Sequence, residues 1–431
     1  MQDAQAVRAE IARLQEAAIQ AQQAGKENEA GQLWARVLEF DANHGLALIS
    51  LGKRAFRHGD LERAQLAFER LVAAHPGHTQ GWINLALTHQ GLKDEAAEQS
   101  AIDSALRTDP SDLVALILRA NLLERQGQRH KAASVYGAVA TVAPPLATLE
   151  PGIQGAVTHA LQFRDRYDAD FGSFLDGFLE NHYKAQAGEN LHRFRESVDI
   201  MVARKRRYDS QSMMFHYPGL LPVPFLPRAR FPWLDAIEAG TDAIRAEFLK
   251  VHAADCGFTP YLTYPPDVPH NQFAELNNSQ RWSAFHLIAD GKPVPGHAAR
   301  CPETMRLLAG APQPDQPGRT PSAMFSLLAP RTRIPPHVGV SNVRLVTHLP
   351  LIIPERCGFR VANETREWKL GEGLVFDDTI EHEAWNDSDK LRVVLIFDIW
   401  HPDLTPPERA MITALTEGIH QFRDTAGEFA L

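Results

Sequence analysis

Three prolines, Pro76, Pro110 and Pro144, stand 34 residues apart, and each closes a stretch whose apolar positions recur at helical spacing. The same period aligns other positions. Gly52, Ala86 and Ala120 share one register, Leu48, Trp82 and Leu116 a second, and Phe68, Ile102 and Tyr136 a third. One period earlier Leu14, Ala18, Ala30, Trp34 and Val37 occupy the same slots without the proline. A small residue lets two antiparallel helices approach closely, and the large residue fills the groove of the next pair. Proline has no N–H to donate and ends the second helix. A helix pair repeated roughly four times in this way predicts a stacked all-α array over residues 1–145.

This repeat resembles the tetratricopeptide repeat. The resemblance implies a concave face that takes a protein or peptide, whether substrate or partner. Residues 146–214 read as a helical connector, helical from Thr148 to about Arg207. The basic run Arg204–Lys205–Arg206–Arg207 reads as a solvated helix end rather than a site for an anionic partner. At HYPGLLPVPFLPRARFPW, residues 216–233, proline recurs every few positions, which excludes helix and central strand. That marks the entry to a second domain, 215–431, with a helix around Leu234–His252 and a short one near Pro302–Leu308.

The balance of 44 basic against 53 acidic side chains, a net charge of −9, argues against sequence-independent nucleic-acid binding, which needs a basic face. Cys256, Cys301 and Cys357 are too scattered for a disulfide framework or a zinc knuckle and suit a reducing compartment. The first residues, MQDAQAVRAEIARLQEAA, are charged and amphipathic, unlike a secretory signal. No apolar run approaches the ~20 residues of a membrane span. A cytoplasmic protein without a membrane span and without a nucleic-acid partner is the expectation.

Chemistry concentrates between Ser326 and Pro402. Segments of alternating or continuous apolar character, broken by Gly, Pro and Asn-Asp-Ser, predict β-strands joined by short turns. His337 lies in IPPHVGVSNVRLVTHLPLIIP, His382 in GEGLVFDDTIEHEAWN, and Arg392 opens LRVVLIFDIW. Two imidazoles on strands of one sheet can converge on a metal such as Fe, Zn, Cu or Ni, with His348 a third candidate. Asp377, Asp378, Glu381 and Glu383 could coordinate it or orient an imidazole. An arginine one strand on can fork onto a carboxylate. A single strand histidine is more often structural, and Trp385 and Trp400 read as core.

The blocks PHVGVSNVRLVTHLPLIIP, VANETREW, GEGLVFDDTIEHEAWND and LRVVLIFDIWHPDLTPPER occur in the order and spacing of double-stranded β-helix oxygenases that use Fe(II) and 2-oxoglutarate. Over about residues 215–410 the chain resembles the aspartyl/asparaginyl β-hydroxylase family in particular. The resemblance implies an α+β multidomain chain, with the α-solenoid followed by a jelly-roll or cupin-like double-stranded β-helix. It implies His337 and His382 as ligands to Fe(II), and Arg392 as the salt-bridge partner of the distal carboxylate of 2-oxoglutarate, with Ser326 on the same group. His348 would meet the carboxylate nearest the iron and Trp282 would line the pocket. With O2, the cosubstrate would be decarboxylated to succinate and an unactivated C–H hydroxylated, by family resemblance the β-carbon of Asp or Asn in a polypeptide.

The chain departs from related patterns at two positions. Where most oxygenases of this fold carry a third, acidic ligand two residues after the first His, this chain has Gly339, as the aspartyl/asparaginyl β-hydroxylases do. Asp378 is the expected holder of water at the position so vacated. Val346 stands where family members carry a cosubstrate-contacting Arg, and Arg344, on the same strand face, is the candidate replacement. Two other readings remain at this point: a non-catalytic repeat scaffold with a packing or metal-binding β domain, and a zinc or nickel enzyme, which would need a carboxylate or a third His, such as His348, within bonding distance of the pair.

Overall fold

A computed structural model describes residues 2–254, 257–269 and 271–426. Cys256 lies outside them. The chain divides into two compact units, Met1–Ala203 and Arg204–Leu431.

The first unit is built of antiparallel helix pairs: α1 (Gln2–Gln23) with α2 (Glu27–Phe40), α3 (Gly45–Arg57) with α4 (Leu61–Ala74), α5 (Thr79–Leu92) with α6 (Glu95–Thr108), and α7 (Leu113–Arg125) with α8 (Arg129–Val142). Each repeat proline follows a helix end by two residues, after Ala74, Thr108 and Val142. Asp60, Asp94 and Asp112 cap the helices that follow them by accepting from the backbone N–H three residues on, which satisfies an otherwise orphaned donor. The registers read from the sequence are the interior: Leu14, Ala18, Trp34, Leu48, Phe68, Ala86, Ile102, Ala120 and Tyr136 are all buried. Gly52 lies so close to the Phe68 ring that a Cβ there would stand 2.5 Å from Phe68 Cε1. These are helical repeats of the tetratricopeptide kind.

The stretch expected as a connector is divided between the units. α9 (Pro151–Ala185) packs Val157, Ala160 and Phe163 onto Leu116 and Tyr136, and so continues the stack, followed by α10 (His192–Met201). Burial of that apolar face binds it to the repeats. Arg204–Arg207 falls beyond α10 and opens the second unit, where Arg206 pairs with Glu381 at 3.4 Å and Arg207 with Asp209 at 3.0 Å. The cluster is therefore no helix end.

In the second unit, α11 (Leu234–Ala239) and α12 (Thr241–Ala253) replace the one helix expected there. The break is Gly240, where a Cβ would stand 2.3 Å from Leu307 of α14 (Pro302–Leu308). The short α13 (Pro295–Ala298) precedes α14, and α15 (Pro406–Ala426) follows the last strand.

The strands are β1 (Thr259–Pro260), β2 (Trp282–Ala289), β3 (Lys292–Pro293), β4 (Ala323–Leu328), β5 (Thr332–His337), β6 (Arg344–Ile352), β7 (Cys357–Val361), β8 (Glu364–Arg366), β9 (Leu374–Phe376), β10 (His382–Asn386) and β11 (Arg392–Trp400). They form two antiparallel sheets. One has seven strands, in the order β1-β2-β4-β11-β6-β9 with β3 beside β2, and the other four, β5-β10-β7-β8.

Side chains alternate across a strand, and here alternation sorts core from site. From β11, Val393, Leu395 and Phe397 join Phe285, Phe325 and Leu349 under α11, α12 and α14. Val394 and Val346 face the other way and pack with Ile334, Phe359 and Ala384 of the small sheet. The same side of β11, β6 and β4 carries Arg392, His348 and Ser326. Trp400 is core, while Trp385 lies half-buried across Gly358.

Candidate active site

The two histidines face each other across one strand pair. His337 ends β5, His382 begins β10, and the two are register partners beside a bulge between His382 and Ala384. Such bulges re-aim side chains. The ring centroids are 4.1 Å apart. Each Nδ1 donates to the carbonyl two residues earlier, His337 to Pro335 at 2.8 Å and His382 to Ile380 at 3.0 Å. That leaves Nε2 as the lone-pair nitrogen of both rings, free to bind a metal. Burial lowers both imidazole pKa values, that of His382 well below the ordinary value, so the pair is neutral. Among the described residues no third His, Cys, Asp or Glu completes a metal-holding cluster with them. His337 and His382 could hold a metal ion as a pair.

Arg392 is the largest fully buried side chain among the described residues. Its Nη1 donates to the Ser326 carbonyl at 3.3 Å and its guanidinium lies 4.9 Å over the Trp368 ring, but its Nε has no partner. No carboxylate among the described residues pairs with it. Burial pulls its pKa down to about 10. The turn before β11 holds it in place: Asn386 Nδ2 donates to the Leu328, Ala329 and Lys390 carbonyls. Trp282 stacks on Tyr261, centroids 4.0 Å apart, and points Nε1 at Ser326 Oγ, 3.4 Å away. His348 lies among Phe359, Phe376 and Trp368, its Nδ1 also unpartnered. Burial and the nearby Arg392 push its pKa down to about 3, so it is a neutral imidazole.

Asp378 occupies the space that a side chain at position 339 would need. A Cβ on Gly339 would stand 2.1 Å from Asp378 Oδ2, and the Gly339 N–H donates to the Asp378 carbonyl. The tight turn at Asp377, whose Oδ1 accepts from Thr379 N and Oγ1, brings it there. Asp378 Oδ1 is buried without a partner. Its Oδ2 accepts from Arg344 at 2.9 Å, and Arg344 also donates to Asp398 at 2.9 Å. Burial alone would lower the Arg344 pKa, but the two carboxylates outweigh it and hold the guanidinium charged. Burial raises the pKa of both aspartates, which share one cation. Arg344 thus lines the same cavity as the histidines with its charge already engaged.

Eight of the sequence candidates line one cavity of about 850 Å³, His337, His382, His348, Arg392, Ser326, Trp282, Arg344 and Asp378; Glu381 lines it too but pairs with Arg360, whereas Asp377 and Glu383 are not among its lining residues and bond Thr379 and Arg360. Val346 lines it too. Sequence reasoning missed three contributors. Trp368 lies under Arg392, Asp398 holds Arg344, and α15 gives Ile412, Leu415 and Ile419 to the cavity wall. The last was readable: those three residues recur at helical spacing after Pro406-Pro407.

A family model described as aspartyl/asparaginyl beta-hydroxylase matches residues 238–402. The human aspartyl/asparaginyl beta-hydroxylase is 40% identical over 385 residues, 87% of this chain and 46% of that protein. The ornithine lipid ester-linked acyl 2-hydroxylase of Rhizobium tropici is 36% identical over 209 residues, 48% of this chain and 70% of that protein. Among solved structures, a thermophilic TPR protein of Thermus thermophilus aligns with 45% of this chain and 97% of its own, at 18% identity and a TM-score of 0.30. Both of these relatives are named as hydroxylases. The chain belongs to the aspartyl/asparaginyl β-hydroxylase family, and it spans just under half the length of the mouse and human relatives, 47% and 46%. No helix among the described residues is long and apolar enough to cross a membrane.

Proposed function

We propose that this chain is an Fe(II)- and 2-oxoglutarate-dependent dioxygenase that hydroxylates an unactivated C–H bond. The observation that carries the proposal is the buried, carboxylate-free Arg392 in the same cavity as two neutral imidazoles with open Nε2 atoms. A buried charge without a partner is strongly unfavourable, and a bound carboxylate removes that penalty. The residues fit the group: imidazole suits iron, and guanidinium suits the distal carboxylate of a keto diacid.

In this reading His337 and His382 hold Fe(II), and Arg392 with Ser326 takes the distal carboxylate. The neutral His348 can donate a hydrogen bond to the end nearest the metal, and Trp282 closes the side of the pocket. Asp378, which fills the space beside Gly339, would orient through its unpartnered Oδ1 the water that takes the place of an acidic third ligand. Arg344 positions Asp378. Iron with 2-oxoglutarate and O2 supplies the oxidising power, ending in succinate, CO2 and a hydroxylated product. The protein orients the reactants and excludes bulk water.

For the substrate we propose a polypeptide recruited by the repeats and hydroxylated at the β-carbon of Asp or Asn, as the family name suggests. A second reading, an aliphatic acyl chain as in the name of the Rhizobium relative, has its own support. Arg344 is engaged by two aspartates, Val346 is uncharged, and one cavity wall is Met213, Ile412, Leu415 and Ile419. A non-catalytic scaffold is the alternative to both.

Anaerobic titration of Fe(II) with and without 2-oxoglutarate tests the proposal through the visible metal-to-ligand charge-transfer band. The band should need both additions, vanish in His337→Ala and weaken in Arg392→Ala. No band under any condition would remove the oxygenase reading and leave the scaffold.

A further inference from the structure

The first three helix pairs carry a surplus of buried hydrogen-bond donors around one groove. Two adjoining cavities, about 270 Å³ lined from α1, α3, α4 and α5 and about 210 Å³ lined from α1, α2 and α3, share Gln22, Ser50 and Arg57. Asn84 lines the first and is 8% exposed. Its Oδ1 accepts from Gln80 Nε2 at 3.2 Å, and its Nδ2 has no acceptor. Trp34, 2% exposed, lines the second and its Nε1 is unpartnered. Arg54, held by Asn28 at 2.7 Å, has an unpartnered Nε in the same cavity. All three atoms are N–H donors, and leaving such groups unsatisfied opposes folding.

The charge has the same sense. Lys53, Arg54 and Arg57 face the two cavities against Glu27 alone, which is already paired with Arg57 at 2.6 Å. No carboxylate among the described residues pairs with Lys53. This cationic patch lies on a chain of net charge −9. Ser50, Lys53 and Arg57 recur on one face of α3, and Asn84 and Leu87 on one face of α5. The floor is apolar, made by Phe56, Phe68 and Leu87.

We infer that this groove binds a peptide segment through a side-chain carboxylate, held by Lys53 and the Asn84 amide, with an apolar neighbouring residue on the Phe56–Phe68–Leu87 floor. The peptide's backbone carbonyls are the acceptors for Trp34 and Arg54. The inference rests on the reading of the repeats as the part that recruits a protein, and it is independent of the chemistry in the β unit.

The test uses the metal-free full chain, so that failure of the oxygenase reading does not touch it. Immobilised wild type and Lys53→Glu are exposed to a random octapeptide library with amidated C-termini, and the captured pools are sequenced. Lys53 is exposed, so the charge reversal leaves the helix packing alone, and a thermal melt confirms it. Wild type should enrich Asp and Glu, next to an apolar residue, at least about threefold over the input, and Lys53→Glu should lose that enrichment. Replacing the enriched acid by its amide should weaken binding of the selected peptide about tenfold in titration calorimetry. No capture, capture without acidic enrichment, or the same pool with Lys53→Glu would overturn the inference. So would capture from a free-acid library alone, which would make the ligand a chain terminus.

Discussion

The two units solve opposite problems with their interiors. The repeats bury small and apolar residues in register, and their buried carboxylate Glu98 is paired with Arg125, so what they leave unpartnered are N–H donors at the groove, such as Asn84 Nδ2 and Trp34 Nε1. The β unit buries Arg392, His348, His382, Asp378 and Asp398 around one cavity, with unpartnered atoms on three of them. Close packing stabilises the first arrangement. The second forgoes stability to keep charges and lone pairs ready for a ligand. Where a fold tolerates unpartnered buried charge, the chemistry is to be sought.

The sharpest way to break this contrast is Arg392→Met. Removing an unpaired buried cation should raise the stability of the ligand-free β unit by roughly 1–3 kcal/mol. Affinity for 2-oxoglutarate should fall about 100-fold. Urea unfolding followed by regional hydrogen exchange, with and without the cosubstrate, reads both, and a destabilised variant would show that Arg392 is structural. Gly339→Ala comes next. A methyl at the place of the Asp378 carboxylate should break the Arg344 pair and cost the β unit about 2–3 kcal/mol, with the repeats unchanged in the same exchange experiment.

The converse in the repeats is Gly52→Ala, expected to cost the first unit about 1–2 kcal/mol by pressing on Phe68. Adding Phe68→Ile should recover part of it, since Ala86 and Ile102 already share those registers in the next repeat. A double variant no better than the single would refute the close-approach account.

The smallest effect is a pH slope confined to the β unit. His348 is neutral in the fold down to about pH 3, whereas an unfolded histidine protonates near ~6.5. Between those values the unfolded chain binds more protons, so stability is full above ~6.5 and falls as pH drops. Urea midpoints from neutral pH to about 5 should show the slope, and His348→Gln should make it shallower, the remainder coming from the other buried imidazoles such as His382.

Much of this was written in the chain. The proline period and the Gly52, Leu48 and Phe68 registers specify the repeats because each helix pair meets only its neighbours, so local pattern is nearly the whole structure. His337, His382 and Arg392 were legible because strands alternate and the motif blocks are contiguous. The sequence did not reveal that α9 belongs to the stack, since the Val157–Ala160–Phe163 face could have packed against either unit. Nor did it show that Arg344 is engaged by Asp378 and Asp398, residues 34 and 54 positions away, or that Trp368 lies under Arg392.

By itself, then, the sequence determined what short-range periodicity can carry: the repeats, the strands, and the imidazole and guanidinium side chains set on them. Only the tertiary structure decided which of those charges are paired. Pairing depends on which strands become neighbours and how closely two backbones approach, as where Asp378 fills the space Gly339 leaves, and no spacing along the chain encodes that distance.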